Sequence, residues 1–188
     1  QGREDDMPHI VGIAGSLRTG SYNAALLRAA AVVAPPGSSL EVASIRGIPL
    51  YDADVEAKEG LPEPVRELKD RIAKADGLIL ATPEYNNSLP GPFKNAIDWL
   101  SRPASDIGRV FGDRPVALMG ATPGRGGTML SQAAWLPVLR ALGVRLWAGA
   151  RIFVSGAGKV FDPEGRLVDE QVKEQLEAFM AGFAGFAA

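Results

Sequence analysis

The chain has 188 residues, a mass of 19.8 kDa, one histidine (His9) and no cysteine, and its formal net charge is -2. This length fits one domain over residues 1–188 that buries roughly 70% of its unfolded surface. The cysteine and histidine counts exclude disulfides, thiolate catalysis and a multi-histidine metal site. Since there is no basic surplus and no apolar run of about 18 residues, we expect neither a nucleic-acid partner nor a membrane span.

The first residues, Gln1 to Asp6, are acidic and lack the basic and apolar regions of a signal peptide. We therefore expect a cytoplasmic protein with a disordered tail at residues 1–6.

Short apolar runs alternate with helical stretches along the rest of the chain. The predicted strands are His9–Ala14, Leu40–Ile45, Gly77–Thr82, Val116–Ala121 and a fifth within Leu146–Val154, whose limits Gly149 obscures. The predicted helices are Asn23–Ala34, a segment from Pro64 to Ala75, Phe93–Leu100, Met129–Leu142 and a last helix capped by Asp169. The charged stretch Asp52–Glu59 is predicted to be a solvated loop. This alternation predicts an α/β fold with a doubly wound parallel sheet and right-handed crossovers.

Three loops rich in glycine, proline and small polar residues follow the first, third and fourth strands. They cover residues 15–23, 83–91 and 122–128. Ligands of open parallel sheets bind beyond the carboxyl ends of the strands, at the point where the strand order reverses. We therefore expect the three loops to converge on one ligand at one edge of the sheet.

The first loop has the composition of a phosphate-binding loop. Gly15 and Gly20 permit tight turns, and Ser16, Thr19 and Ser21 supply hydroxyl donors. Arg18 adds a charged donor and Asn23 an amide, close to the positive end of the helix that follows. The Gly-Lys-Ser/Thr of a Walker loop and the glycine order of a dinucleotide fold are both absent. This set suits a terminal monophosphate, and a capped helix with a polar turn is the structural alternative.

The second and third loops are suited to a flat ring with polar edges. Tyr85 offers an aromatic surface, and Asn86 and Asn87 offer hydrogen bonds on a loop that prolines stiffen. Gly124 and its glycine neighbours let backbone approach a ring edge from the other side.

At these loops the chain resembles the NADPH-dependent FMN reductase family, in particular its chromate and quinone reductase branch. The matching stretches are GIAGSLRTGSYNAALLRA from Gly12 and ATPEYNNSLPGPFKNAIDWLSR from Ala81, with weaker matches from Pro115 and Phe161. The resemblance implies a flavodoxin-like fold, with strand order 2-1-3-4-5 in three α/β/α layers, that holds FMN non-covalently. It also implies assembly as a homodimer or homotetramer.

Carried over by position, the resemblance implies two groups of residues around FMN. The phosphate group would be held by Ser16, Arg18, Ser21 and Asn23, with Tyr22 nearby. The isoalloxazine would be framed by Pro83, Glu84, Tyr85, Asn86 and Asn87, with Thr122 to Gly124 at its pyrimidine edge.

The predicted activity is a two-step reduction by a borrowed cofactor, because no side chain of this composition exchanges electrons. NAD(P)H passes hydride to flavin N5 and leaves, and a small acceptor such as a quinone, chromate, an azo compound or free flavin takes its place. No side chain is assigned a catalytic role, and Arg18 and Arg125 are candidates for the phosphates of the pyridine nucleotide.

Three other function classes are weighed against this one. A Ser-His-Asp hydrolase fails because His9 is predicted at the opposite end of the sheet from Ser16. A phosphorylated receiver fails because Gly15-Ser16 and Pro83-Glu84 provide no acidic pair for magnesium. A non-enzymatic flavin protein, either an electron carrier or a redox sensor, stays open; the weak net charge argues against the carrier.

Overall fold

The computed structural model describes residues 8–188, in which six strands form one parallel sheet. The strands are β1 (His9–Ala14), β2 (Ser39–Ser44), β3 (Gly77–Ala81), β4 (Pro115–Ala121), β5 (Arg145–Leu146) and β6 (Ile152–Val154). They pair in the order β2-β1-β3-β4-β5, and β6 pairs with the later part of β4. The order 2-1-3-4-5 is therefore confirmed.

Helices cover both faces of this sheet. They are α1 (Tyr22–Val32), α2 (Ala53–Glu59), α3 (Glu63–Lys74), α4 (Gly91–Leu100), α5 (Ile107–Val110), α6 (Met129–Leu142), α7 (Ala157–Val160) and α8 (Glu170–Ala187). One apolar core joins the sheet to α1 and α8, and a second joins the opposite face to α3, α4 and α6. The result is the three-layer arrangement that the alternating pattern predicts.

Burial follows from the sequence of each element. Every residue of β3 and β4 is buried, which explains why both read as uninterrupted apolar runs. On α8 the residues Leu176, Phe179 and Phe183 share one buried face. Asp169 caps this helix as predicted, since its carboxylate accepts a hydrogen bond from Val172 N. No described helix is both long enough and apolar enough to cross a bilayer.

Two sequence predictions need correction, and one lies outside the described residues. The stretch Asp52–Glu59 was predicted to be a loop, but its residues 53–59 form α2; Asp52 caps this helix and no residue of it is buried. The predicted fifth strand is interrupted around Gly149, so that β5 and β6 pair with β4 separately. The predicted disordered tail at residues 1–6 lies outside the described residues.

A buried lysine anchors the chain that follows α4. The Lys69 side chain is only 1% exposed, and its Nζ lies 2.7 Å from Oδ2 of Asp106 and donates to the carbonyl oxygen of Arg102. Arg109 donates to both carboxylate oxygens of Asp106. The hydrogen bonds from Arg109 and then Lys69 lower the pKa of Asp106 to about 2. Asp106 therefore neutralises two cations, one of them buried.

Replacing Asp106 by asparagine should lower the free energy of unfolding by about 3 kcal/mol at pH 7, because the buried Lys69 ammonium loses its counter-charge. The pKa of this carboxyl is lower in the folded than in the unfolded chain, so its ionised form stabilises the protein above about pH 4. This contribution is lost as the pH falls toward 2. Urea unfolding at a series of pH values measures both effects, and the acid-dependent loss should be smaller in Asp106→Asn.

Lys69→Met is the matched control for this prediction. It removes the buried charge and keeps an apolar side chain of similar length, so its cost should be below that of Asp106→Asn. Equal or greater destabilisation by Lys69→Met would contradict the assignment of Asp106 as the essential counter-charge.

Candidate functional site

Three loops leave the sheet side by side at the carboxyl ends of β1, β3 and β4. Backbone hydrogen bonds continue past the strands, from Gly15 N to Ala81 O and from Thr82 N to Met119 O, both 2.9 Å long. The strand order reverses between β1 and β3, so this edge is the topological switch point where ligands of such sheets bind. The structure thus brings together the three segments that the sequence singled out.

The first loop presents unused hydrogen-bond donors at the start of α1. Ser21 is the helix N-cap, and its Oγ accepts from Ala24 N at 3.2 Å. The hydroxyl hydrogen of Ser21 is still free to donate. Within residues 8–188, the amides of Tyr22 and Asn23 in the first turn have no acceptor, as expected where a helix begins. These donors and the positive end of the helix make this point the candidate anion site.

Ser16 and Arg18 lie on the rim of this anion site. Ser16 is half-buried, and its Oγ accepts from Arg18 N at 3.3 Å. The Arg18 side chain is exposed, and its guanidinium carbon lies 5.4 Å from the ring centroid of Tyr22. The Tyr22 ring in turn stacks on Phe161, with ring centroids 6.0 Å apart. The Tyr22 ring, which Phe161 supports, therefore packs against the Arg18 guanidinium.

The side chain of Asn23 has a different task from the predicted one. Its Nδ2 donates to the carbonyl oxygen of Ala121 at 3.0 Å, and its Oδ1 accepts from Ala121 N at 2.9 Å. Both halves of the carboxamide are occupied, and the residue is buried. Asn23 thus fixes the start of α1 to the end of β4, and only its backbone amide is available to an anion.

The second loop is a tight two-residue turn that displays Tyr85. The backbones of Tyr85 and Ser88 exchange two hydrogen bonds of 3.1 Å, and Asn86 and Asn87 between them have φ values of 50° and 60°. Asparagine tolerates this left-handed region, which the turn requires at both positions. The Tyr85 side chain is 45% exposed at the turn. The two asparagines are therefore needed by the turn as well as being exposed donors.

Glu84 joins the second loop to α6. Its Oε2 accepts from the amides of Leu130 and Ser131 at 2.9 and 3.0 Å, in the first turn of that helix. Thr128, which occupies the N-cap position, makes no cap hydrogen bond; its φ is 66° and its hydroxyl accepts from Gln132 instead. A carboxylate from another loop thus caps α6, where the helix dipole favours a negative charge.

A buried polar chain supports the second loop from below. Thr82 Oγ1 donates to the Pro83 carbonyl oxygen, lies 2.9 Å from Ser131 Oγ and accepts from Trp135 Nε1 at 3.0 Å. Pro83 is itself buried. Because every member of this chain has a partner, the loop begins from a rigid base.

Backbone contacts fix the third loop, which leaves β4. Thr122 Oγ1 accepts from Gly124 N at 3.2 Å, while the Gly124 carbonyl oxygen accepts from Gly156 N at 2.9 Å. A Cβ at Gly120 would lie 2.0 Å from Thr128 Oγ1, so only glycine permits this close approach. Arg125 is exposed at the tip of the loop.

Sequence reasoning missed a third arginine at this edge, in addition to Arg18 and Arg125. Arg46 follows β2, and its Nη2 donates to the carbonyl oxygen of Leu17 in the first loop. The only signal in the sequence was its position at the end of the second strand, where a dinucleotide fold carries an acid. Arg46 braces the first loop and adds positive charge to the edge.

His9 lies at the far end of the sheet from these loops, at the start of β1. Its Nδ1 is 2.9 Å from Oγ of Ser39, and its Nε2 is 3.4 Å from the carboxylate of Glu41. The imidazole thus joins β1 to β2 and does not reach Ser16.

Comparisons with known proteins find a matching family, similar sequences and a similar fold. The sequence model of the NADPH-dependent FMN reductase family matches residues 8–158. An NAD(P)H-dependent FMN reductase of Pseudomonas aeruginosa is 44% identical over 168 residues, with 89% of each chain covered. A 2-hydroxy-1,4-benzoquinone reductase of a Burkholderia species is 37% identical, with 93% of each chain covered.

A similar solved structure is that of FerB, a flavoenzyme NAD(P)H:(acceptor) oxidoreductase from Paracoccus denitrificans. The two chains superpose with a TM-score of 0.84 at 30% identity, covering 96% of this chain and 97% of FerB. The flavodoxin-like arrangement is therefore shared over nearly the whole length.

Replacing Glu84 by alanine should lower the free energy of unfolding by about 2 kcal/mol, because two amides at the start of α6 lose their charged acceptor. Glu84→Gln keeps one acceptor oxygen without the charge and should cost about half as much. Chemical denaturation of the two variants measures the difference. Equal stability of Glu84→Ala and the wild type would show that solvent caps α6 equally well.

Proposed function

The chain belongs to the NADPH-dependent FMN reductase family, and we propose that it reduces quinones with electrons from NAD(P)H. It is an oxidoreductase that uses FMN. The observation that carries the proposal is the juxtaposition of the anion site at the start of α1 with the rigid turn at Tyr85.

The first loop fits the phosphate of FMN. Free first-turn amides and the hydroxyls of Ser16 and Ser21 suit its oxygens, and Arg18 supplies the opposite charge. We include Tyr22 for its backbone amide and for the support that its ring gives Arg18. For Asn23 we retain the backbone amide alone, because its carboxamide is held by Ala121.

The second and third loops would frame the flavin ring. Tyr85 offers aromatic surface, Pro83 is buried at the base of the loop, and the exposed carboxamides of Asn86 and Asn87 offer donors. Thr122 and Gly124 would approach the ring edge from β4, and Glu84 would position the second loop through α6. FMN held there would supply the redox chemistry, namely hydride exchange between NAD(P)H and an acceptor. The side chains of the three loops would bind and orient the flavin, and none of them is needed to transfer a proton.

A quinone is the acceptor that we favour over chromate, azo compounds or free flavin. The rim of the site carries exposed Tyr85 and exposed Leu17, at 45% and 42%, which suit a flat and partly apolar molecule. The Burkholderia relative is named as a reductase of a hydroxybenzoquinone, and a Pseudomonas putida relative is named a quinone reductase.

The test is an absorbance spectrum of the purified protein before and after anaerobic addition of NADPH. We expect a flavin band that NADPH bleaches without a partner reductase and that a benzoquinone then restores. A band that NADPH leaves unchanged would favour a carrier or sensor. Protein that neither carries nor binds FMN would contradict the proposal.

A double variant locates the flavin within the site. Ser16→Ala with Arg18→Met should weaken FMN binding by about 3 kcal/mol, on the order of two charge-assisted hydrogen bonds. Arg140→Gln is the matched control, since Arg140 is exposed in the last turn of α6. Unchanged FMN affinity in the double variant would mean that the phosphate binds elsewhere.

We also propose that the chain forms a homodimer or homotetramer. The aromatic residues Trp99 and Trp135 are fully buried and belong to the core, so they do not form a contact surface. Exposed apolar side chains do occur on α6 and β5: Met129, Leu136 and Leu146 are 55%, 46% and 37% exposed. Clustered apolar exposure of this kind is typical of interaction surfaces.

Replacing Leu136 by glutamate should shift the wild-type oligomer toward a 19.8 kDa particle in light scattering, because a charge would have to be buried in the contact. Val168→Glu alters an apolar residue that is 55% exposed but lies outside α6 and β5, and it should leave the particle size unchanged. A wild-type particle of 19.8 kDa would overturn the oligomer proposal.

A further inference from the structure

A short segment after β6 connects the third loop to the first. It begins on the third loop, where Gly156 N donates to the carbonyl oxygen of Gly124 at 2.9 Å and Ala157 N to that of Thr122 at 3.0 Å. The segment then forms α7 and ends at Phe161, whose amide donates to the carbonyl oxygen of Ala157 at 3.1 Å. One end of the segment is thus fixed to the third loop, and its other end carries Phe161.

A tight turn holds Phe161 in place on its other side. Asp162 N donates to the carbonyl oxygen of Arg166 at 3.0 Å, and Val168 N donates to that of Val160 at 2.9 Å. The Phe161 side chain is only 4% exposed. Because the backbone is bonded on both sides of this residue and its ring is buried, the ring has a fixed position.

The Phe161 ring reaches the first loop through Tyr22. The two rings are stacked, with 24° between their planes and 6.0 Å between their centroids. The hydroxyl end of Tyr22 lies close to α7, since a Cβ at Gly158 would lie 3.3 Å from that oxygen. Tyr22 is only half-buried, so its ring depends on Phe161 and α7 for its orientation.

The Tyr22 ring in turn contacts Arg18, whose guanidinium carbon lies 5.4 Å from the ring centroid. The guanidinium also folds back over the first loop, since a Cβ at Gly20 would lie 3.6 Å from its Nη2. An exposed arginine has many rotamers, and a cation–π contact favours one of them. Holding the side chain in one place reduces the entropy that is lost when it binds an anion.

We propose that Phe161 is a positioning residue for the phosphate of FMN: it holds the Tyr22 ring, which orients Arg18. The inference rests on the proposed function, because it takes the first loop as the place where the phosphate binds. It gives a function to the stretch that begins at Phe161, to which the sequence alone assigned none. Loss of the Phe161 ring should therefore weaken recognition of the phosphate and leave recognition of the isoalloxazine unchanged.

The test uses riboflavin, which has the isoalloxazine of FMN and lacks the phosphate. Titration of the flavin-free full chain gives the affinity for each flavin, and the ratio of the two affinities measures what the phosphate contributes. We expect Phe161→Leu to lower the ratio of FMN to riboflavin affinity at least about threefold, with riboflavin affinity within about 1.5-fold of the wild type. Phe161→Tyr keeps the ring and should keep the wild-type ratio.

Three further variants separate positioning from a general loss of packing. Phe111→Leu is the matched control, because Phe111 is a buried phenylalanine just before β4, at the far end of the sheet, and should leave the ratio unchanged. Tyr22→Leu removes the stacked pair from its half-buried side and should give the same fall, which supplies the result if Phe161→Leu does not fold. In an Arg18→Met background, Phe161→Leu should change FMN affinity less than about 1.5-fold, because the side chain that it positions is gone.

The outcomes distinguish this inference from the proposed function. A ratio that falls less than threefold in Phe161→Leu would overturn the inference and leave the proposed function standing. The same loss of FMN affinity with and without Arg18 would also overturn it, and so would equal losses of FMN and riboflavin affinity, because Phe161 would then support the whole site. Wild-type protein that binds FMN no more tightly than riboflavin would overturn the phosphate site itself and the inference with it.

Discussion

The site depends on side chains that tie separate segments of the chain to one another. Asn23 bonds both backbone groups of Ala121, which fixes the start of α1 to the end of β4. Glu84 bonds two amides of α6, which fixes the loop after β3 to the helix after β4. Each bond joins loops that the parallel sheet merely brings to the same edge. A site held in this way loses little conformational entropy when a ligand binds, so more of the contact energy becomes affinity.

The general plan of the fold and site follows from local sequence patterns. Apolar runs of five to seven residues identify β1, β3 and β4, and the order of strands and helices dictates a parallel sheet. Polar and glycine-rich loops at the carboxyl ends of those strands then had to meet. Local chemistry was equally informative at Asp169, whose carboxylate caps the helix that directly follows it.

The features that sequence analysis missed depend mainly on hydrogen bonds between residues that lie far apart along the chain. The Asn23 side chain was expected to hold phosphate, but it bonds the backbone of Ala121, which is 98 residues away. No local sequence pattern indicates this contact. Glu84 caps a helix 46 residues further on, at a position where Thr128 would have been the ordinary choice. The helix Ala53–Glu59 was not predicted because none of its residues is buried, so its sequence shows no helical periodicity of apolar residues.

The interruption of the sheet near Gly149 also affects how the molecule can associate. The edge strands next to β4 are β5 and β6, which are two and three residues long. The edge strand on the other side of the sheet is β2, which carries the charged residue Glu41. Short or charged edge strands are poor templates for pairing with a strand of another chain. Copies of this chain are therefore not expected to form continuous intermolecular sheets, and a stable contact between them would form through side chains, such as those of α6 and β5.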